Sequence, residues 1–216
     1  MSQPIRVDIV SDVVCPWCII GFLQLQAACS ATRIGCEVHW HPFELNPGMP
    51  EAGQNVAEHL AEKYGTTPEQ SRANRDGLVQ LGASLGFTFA FSGNTLIHNT
   101  FRAHQLIRMA GHQGKANQMK LAVFQAHFTN NRNINDPDIL ADIAGSTGLA
   151  RDAVLKALED GTYAAEVREE QSFWAEQGIS GVPTMIFDAQ YMLTGAQGAE
   201  NYGRILQKVM AEREAA

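Results

Sequence analysis

The sequence is short of positive charge. Lysine and arginine total 16 against 23 aspartates and glutamates, and the formal net charge is −7. The basic residues do not cluster, so the footprint that a phosphate backbone needs is missing and no nucleic-acid partner is expected. Long apolar runs are missing too. None approaches the roughly 20 residues of a membrane span, so no membrane partner is expected either. The first residues, Met1-Ser2-Gln3-Pro4, carry no basic region followed by an apolar core. Without that leader pattern the expectation is a cytoplasmic protein. Repeats and low-complexity segments are absent. Cysteine is scarce, with four in 216 residues. In a compartment that keeps thiols reduced, they read as redox or free thiols rather than as a disulfide framework. What remains is an ordinary globular balance, 45% hydrophobic and 18% charged, in a length that suits one large domain or two interleaved ones.

Two of the cysteines stand together in Asp12-Val13-Val14-Cys15-Pro16-Trp17-Cys18. Before them Ile5 to Val10 alternates like a strand. After them Ile19 to Ala28 lacks strand punctuation and reads as a helix. A Cys-x-x-Cys pair at a strand-to-helix turn is a redox arrangement. The free N–H groups of the first helical turn favour a thiolate on Cys15, the nucleophilic form. Pro16 suits the first helical position, where its missing N–H costs nothing. Cys18, three residues on, shares the helical face of Cys15 and lies within reach of its sulfur. Cys15 is thus expected toward solvent, with the lower pKa and the first attack. Cys18 is expected deeper, as the resolving thiol. The competing reading is half of a structural zinc site. Its other ligands would come from Cys29, Cys36, His39 and His41. Cys29 and Cys36 are not a close pair in sequence, and the two histidines alternate on one face of a strand-like run.

The order of elements predicts strands near Ile5–Ser11, Val38–His41, Thr184–Phe187 and Tyr191–Thr194, in one sheet. Between them lies a helical block, with helices over about Asn55–Gly65, Thr67–Leu85, Thr95–Gly111, Lys115–Thr129, Pro137–Thr147, Arg151–Leu158 and Thr162–Gly178. Phe87 to Phe91 reads as an extended linker, and a last helix covers about Ala199–Arg213. The domain reading is a discontinuous α/β domain of residues 1–50 plus 162–216, with a helical insertion of residues 51–161. Cys29 and Cys36 read as small buried hydrophobes, with a disulfide between them left open. Trp17, between the cysteines, is expected part-exposed, as an apolar contact for substrate. Asp12 reads first as a turn or capping carboxylate, second as a charge acting on Cys15. His98 and His104 lie in the helical block and receive no role.

Four features resemble the thioredoxin superfamily, and within it the DsbA family with a helical insertion. They are Cys15-Pro16-Trp17-Cys18 after the first strand, the helical block, Gly181-Val182-Pro183-Thr184, and Leu193-Thr194-Gly195-Ala196-Gln197. His41-Pro42-Phe43-Glu44-Leu45-Asn46-Pro47 and Asn99-Thr100-Phe101-Arg102-Ala103-His104 are similar to the cytoplasmic FrnE-like branch. The resemblance implies a thioredoxin-like fold interrupted by a large helical insertion, and a thiol–disulfide oxidoreductase or isomerase working through Cys15 and Cys18. It implies a cis bond before Pro183, with the Val182 backbone turned to the site. Pro16, Trp17, Val182 and Pro183 would then meet a protein or small-molecule thiol or disulfide. No cofactor or metal is implied beyond the redox-active disulfide, with glutathione as a conceivable co-substrate. The dipeptide is Pro-Trp rather than the Pro-His of DsbA. Cys15 should therefore be less acid-shifted than the DsbA value of about 3.5, and the reduction potential is expected to be intermediate. A glutathione-dependent kappa-class transferase or isomerase has a similar inserted fold, but a serine-centred site.

Overall fold

In the computed structural model, which describes residues 3–215, strand β1 (Ile5–Ser11) is buried at every position except Arg6. A strand reads as a continuous apolar run when both faces of its sheet are covered and it has neighbours on both sides. Its neighbours are β2 (Cys36–Pro42), parallel, and β5 (Thr184–Phe187), antiparallel. β6 (Tyr191–Thr194) pairs antiparallel with β5, so the sheet order is β2-β1-β5-β6. The register sets Ile9 opposite Trp40 on one side and Met185 on the other. Ile5, Val7, Ile9, Met185 and Phe187 have no solvent exposure. Each such apolar side chain contributes about 1.5–3 kcal/mol relative to exposure.

Helix α1 (Pro16–Thr32) connects β1 to β2 and buries Cys18, Ile19, Ile20, Phe22, Leu25 and Ala28. It packs along α9 (Ala199–Ala215), whose Tyr202, Leu206 and Val209 are buried. Glycine lets the two helices approach. A Cβ on Gly203 would stand 3.4 Å from Thr32 Cγ2. These elements form one compact unit, running up to Phe43 and resuming at Arg168.

Residues 44–167 form a second unit. It holds β3 (Gln54–Asn55), α2 (Val56–Tyr64), α3 (Pro68–Ser84), β4 (Leu96–Ile97), α4 (Phe101–Gly111), α5 (Ala116–Phe128), α6 (Pro137–Ser146), α7 (Arg151–Glu159) and the first turn of α8 (Ala164–Glu176). Its boundaries fall before Glu44 and within α8, rather than after Pro50 and before Thr162. The loop after Phe43 is tied to this unit: Lys63 Nζ donates to Leu45 O (2.9 Å) and Asn99 Nδ2 to Pro47 O (3.3 Å). At the other end Arg108 Nε donates to Glu166 Oε2 at 2.6 Å.

The helix starts follow local chemistry. The Asn55 side chain caps α2, Thr67 and Gln70 form a capping box at α3, and Asp136 caps α6 ahead of Pro137. One expected helix is shorter than its periodicity suggests. α4 starts at Phe101, not near Thr95, because Leu96–Ile97 pairs antiparallel with Gln54–Asn55 as a two-stranded ribbon. Asn99 Oδ1 accepts from the Phe101 N–H (2.9 Å) and turns the chain into the helix. Phe87 to Phe91 has no strand partner. Phe89 instead packs edge-on to Phe128, with centroids 5.2 Å apart, over Gly82, where a Cβ would lie 2.6 Å from the ring.

Candidate active site

β1 ends at Ser11, a turn follows, and Cys15 is the N-cap of α1 with Pro16 at its first position. Cys15 N donates to Asp12 O (3.2 Å), and Cys18 N lies 3.0 Å from Cys15 O, closing the first turn. Both residues are thiols, with their sulfurs hydrogen-bonded to each other. The Cys15 sulfur also faces the Val182 carbonyl, 3.7 Å away. The Val182–Pro183 peptide bond is cis. Thus Cys15, Cys18 and the Val182–Pro183 segment come together, though more than 160 residues separate them in sequence. Trp17 stands beside them with 47% of its surface exposed.

Residues that the sequence reading did not single out hold this arrangement. Gly21 faces Pro183 and Met185: a Cβ there would lie 3.0 Å from Met185 Cε and 3.4 Å from Pro183 Cγ. The Pro183 carbonyl accepts from Gly195 N at 2.7 Å. Tyr202, fully buried, donates its hydroxyl to Gly195 O (3.1 Å) and accepts from Gln197 N (3.1 Å). The Gln24 side chain accepts from Gly198 N at 2.9 Å. Of these, only Gly195 and Gln197 had a sequence signal, as part of the Leu193-Thr194-Gly195-Ala196-Gln197 feature.

The electrostatics of Cys15 set its neighbours against the helix start. Cys15 is 5% exposed and Cys18 has no exposure, so the pair is largely enclosed with Cys15 the outer residue. The Cys15 thiol is pushed well above its ordinary pKa. The hydrogen bond with Cys18 is the largest cause, followed by burial and by the charge on Cys18, with the Asp12 carboxylate adding to them. The backbone N–H of Cys18 acts the other way, as a helix start should. It is outweighed by the hydrogen bond with Cys18, which favours the protonated Cys15, and by burial, which disfavours its anion. Asp12, with no solvent exposure, therefore acts on Cys15 by charge as well as forming the turn with its carbonyl.

Other candidates lie away from this pair. His41 sits between two carboxylates, with Nε2 2.7 Å from Asp8 Oδ1 and Nδ1 2.5 Å from Glu170 Oε1, and Trp174 packs on its ring. Burial pulls its pKa down, but the two carboxylates win and raise it. Arg6 completes the cluster by binding both oxygens of Asp8. His39 Nε2 lies 3.0 Å from Glu37 Oε1 at the surface. Among the described residues no group of three or more His, Cys, Asp or Glu is arranged to hold a metal ion. His98 and His104 are both buried in the second unit. His98 lines a polar cavity of about 400 Å³ there, with Thr95, His127 and Asn131.

A dithiol at the start of a helix, faced by an X-Pro segment on a sheet that ends in a β-hairpin and helix, defines a thioredoxin-like protein. The DSBA-like thioredoxin domain family matches residues 6–207, and the chain belongs to that family. The probable DsbA oxidoreductase SCO1869 from Streptomyces coelicolor is similar in structure, with a TM-score of 0.90. It is 33% identical, over 96% of this chain and 91% of that one. The uncharacterized protein YwbO of Bacillus subtilis (strain 168) is 28% identical over 204 residues, covering 94% of this chain and 96% of YwbO. A cytosolic disulfide reductase, DsbM from Pseudomonas aeruginosa, in a structure with glutathione, shares the fold. Its TM-score is 0.64 at 16% identity, over 95% of this chain and 99% of that one. The fold is thus a DsbA-like thioredoxin fold with a helical insertion, in a family of thiol–disulfide oxidoreductases. Among the described residues no helix is long and apolar enough to cross a membrane.

Proposed function

We propose that this protein is a cytoplasmic dithiol–disulfide oxidoreductase of the FrnE-like branch, working in the reducing direction through Cys15 and Cys18. The observation that carries the reading is a dithiol at the N-terminus of α1, with its outer sulfur 3.7 Å from the Val182 carbonyl beside Pro183. Cys15 is the nucleophile. It is the slightly more exposed of the two sulfurs, and the Cys18 N–H supports its anion. Its thiolate attacks one sulfur of a substrate disulfide and expels the other as a thiolate, leaving a mixed disulfide on Cys15. Cys18 then attacks Cys15 Sγ, releasing the second substrate thiol and closing the Cys15–Cys18 disulfide. The helix holds Cys18 within reach, so this step has a high effective concentration. An extended substrate would lie along the Val182 backbone, with Trp17 and Pro16 as apolar contacts.

The setting of Cys15 supports the reducing direction. DsbA is a strong oxidant because its reduced form is stabilised, with the thiol pKa near 3.5. Here burial, the shared proton and Asp12 all oppose the Cys15 thiolate. A raised Cys15 pKa supports a potential nearer thioredoxin's, about −270 mV, than DsbA's, about −120 mV. A glutathione-class thiol is the proposed partner that returns the disulfide to the dithiol, in line with the glutathione-bound DsbM that shares the fold.

The test is equilibration of the Cys15–Cys18 couple in glutathione buffers, alongside assays of disulfide reduction, disulfide isomerisation and glutathione conjugation. A low potential with reductase turnover supports the proposal. A potential near −120 mV, about that of DsbA, overturns its direction. Conjugation without reduction would replace it with the kappa-class reading.

A further inference from the structure

The second cysteine pair is untouched by this mechanism. Cys29 lies in the last turn of α1, and Cys36 is the first residue of β2. Between them the chain reverses at Arg33, which takes the left-handed conformation at φ 59°, ψ 26°. The Thr32 hydroxyl fixes this turn by donating to Ala28 O (2.8 Å) and accepting from Ile34 N (3.4 Å). The far side is pinned by the sheet: Ile5 N donates to Gly35 O, and Ile5 pairs with Cys36. Turn and sheet together bring the two sulfurs to 2.8 Å. That is within about 1 Å of the bonded S–S distance of about 2.05 Å. Both cysteines are thiols and both are half-buried, unlike the enclosed first pair.

We propose that Cys29 and Cys36 are a second thiol–disulfide site, one that takes small-molecule disulfides of the glutathione class and closes to an internal disulfide joining α1 to β2. Hydrogen bonding to Cys36 lowers the Cys29 thiol pKa against the opposing effect of burial. The same contact, together with burial, raises that of Cys36. Cys29 is thus the attacking sulfur. Its thiolate displaces one thiolate from the small disulfide and is left as a mixed disulfide. Cys36 then loses its proton to solvent and attacks Cys29 Sγ, expelling the second thiolate. The protein dithiol is oxidised to one disulfide, and the small disulfide is reduced to two thiols. The site lacks what the first pair has: no exposed tryptophan lies between its cysteines. It therefore suits a small disulfide rather than an extended protein segment. Nothing here depends on the reaction assigned to Cys15 and Cys18.

Trypsin tests this directly, because it cleaves after Arg33, between the two cysteines, giving peptides 7–33 and 34–63. The full chain carrying Cys15→Ser and Cys18→Ser is incubated with oxidised glutathione, alkylated and digested. The expected result is loss of both free thiols, with the two peptides joined until dithiothreitol is added. Adding Cys36→Ser should stop the reaction at a glutathione adduct on Cys29, whereas adding Cys29→Ser should leave Cys36 largely unmodified. Mapping the wild-type chain by peptide fragmentation reads the same Cys29–Cys36 link with no substitution. Two free thiols after incubation, in a chain whose circular dichroism matches wild type, overturn the proposal. An adduct found on Cys36 instead of Cys29 overturns the assigned order. Either failure leaves the reductase assay of the wild-type Cys15–Cys18 couple unaffected, so the two readings fail separately.

Discussion

The two ends of α1 carry the same chemical group in opposite settings. At its N-terminus Cys15 and Cys18 are enclosed, and the hydrogen bond with Cys18, burial and Asp12 raise the Cys15 pKa. At its C-terminus Cys29 and Cys36 are half-buried, and the hydrogen bond between them lowers the Cys29 pKa. The helix dipole alone would order them the other way, with the N-terminal thiol the more acidic. The difference teaches that a thiol–thiol hydrogen bond and desolvation, with a neighbouring carboxylate adding to them, outweigh the pull of a helix start. It also separates two tasks. A protonated, enclosed dithiol beside a backbone carbonyl is suited to guided exchange with a docked substrate. A half-buried thiol of lowered pKa is suited to whatever small disulfide diffuses to it.

The sharpest way to break this comparison is to remove one sulfur from each end. Cys15→Ser should abolish disulfide reduction and yield no covalent adduct. Cys18→Ser should keep the first attack and accumulate a mixed disulfide that reducing agent releases. Cys29→Ser should leave turnover unchanged. The assignment fails if Cys29→Ser abolishes turnover, or if Cys15→Ser retains it.

The next effect concerns the strand that delivers the first pair. His41→Gln leaves the carboxylates of Asp8 and Glu170 facing each other in a site with side chains only 6% and 16% exposed. Removing one partner of a buried ion cluster should cost about 3 kcal/mol, read as a lower midpoint in urea unfolding. The pH dependence has a definite sign. The raised His41 pKa gives stability that is fully present below about pH 6.5 and is lost as pH rises through the folded value. The lowered Asp8 pKa, whose first cause, burial, is outweighed by hydrogen bonds from His41 and Arg6, gives stability present above about pH 3.9 and lost on acidification. Wild type should therefore hold a plateau between those values and weaken on the alkaline side. His41→Gln should flatten the alkaline fall, and an unchanged fall would assign it to another group.

A smaller contrast is kinetic. Iodoacetamide at neutral pH should label Cys29 about tenfold faster than Cys15, since rate follows thiolate fraction and access. Equal rates would erase the difference between the two ends. The smallest expected effect is at Asp12. Asp12→Asn removes a charge that raises the Cys15 pKa, so the alkylation profile of Cys15 should move to lower pH while that of Cys29 stays in place. A shift to higher pH would show that Asp12 instead supports the thiolate.

Much of this was legible because it is local. Cys15-Pro16-Trp17-Cys18 after an apolar strand places the dithiol at a helix start from adjacent residues alone. Asn55, Thr67 and Asp136-Pro137 mark helix starts because capping involves groups two or three positions apart. The pairing of Gln54–Asn55 with Leu96–Ile97 was not legible, because a two-residue ribbon has no period to detect and its partners lie across two helices. The anchoring roles of Gly21 and Tyr202 were likewise hidden, since each depends on what another element brings against it.

The sequence by itself determined the chemistry available: two thiols spaced to close on each other at a helix start, a Gly-Val-Pro segment far downstream, and a helical block between them. Those follow from residue identity and from interactions along a few bonds. Only the tertiary structure decided how that chemistry is set. It brought Val182 to Cys15 and enclosed the first pair, raising the Cys15 pKa. At the other end of the helix, the turn at Arg33 and the pairing of β2 with β1 brought Cys29 to Cys36. The reason is physical: acidity and sulfur contact depend on solvent access and on distances of a few ångströms. Both are properties of packed surfaces, which no short stretch of chain possesses alone.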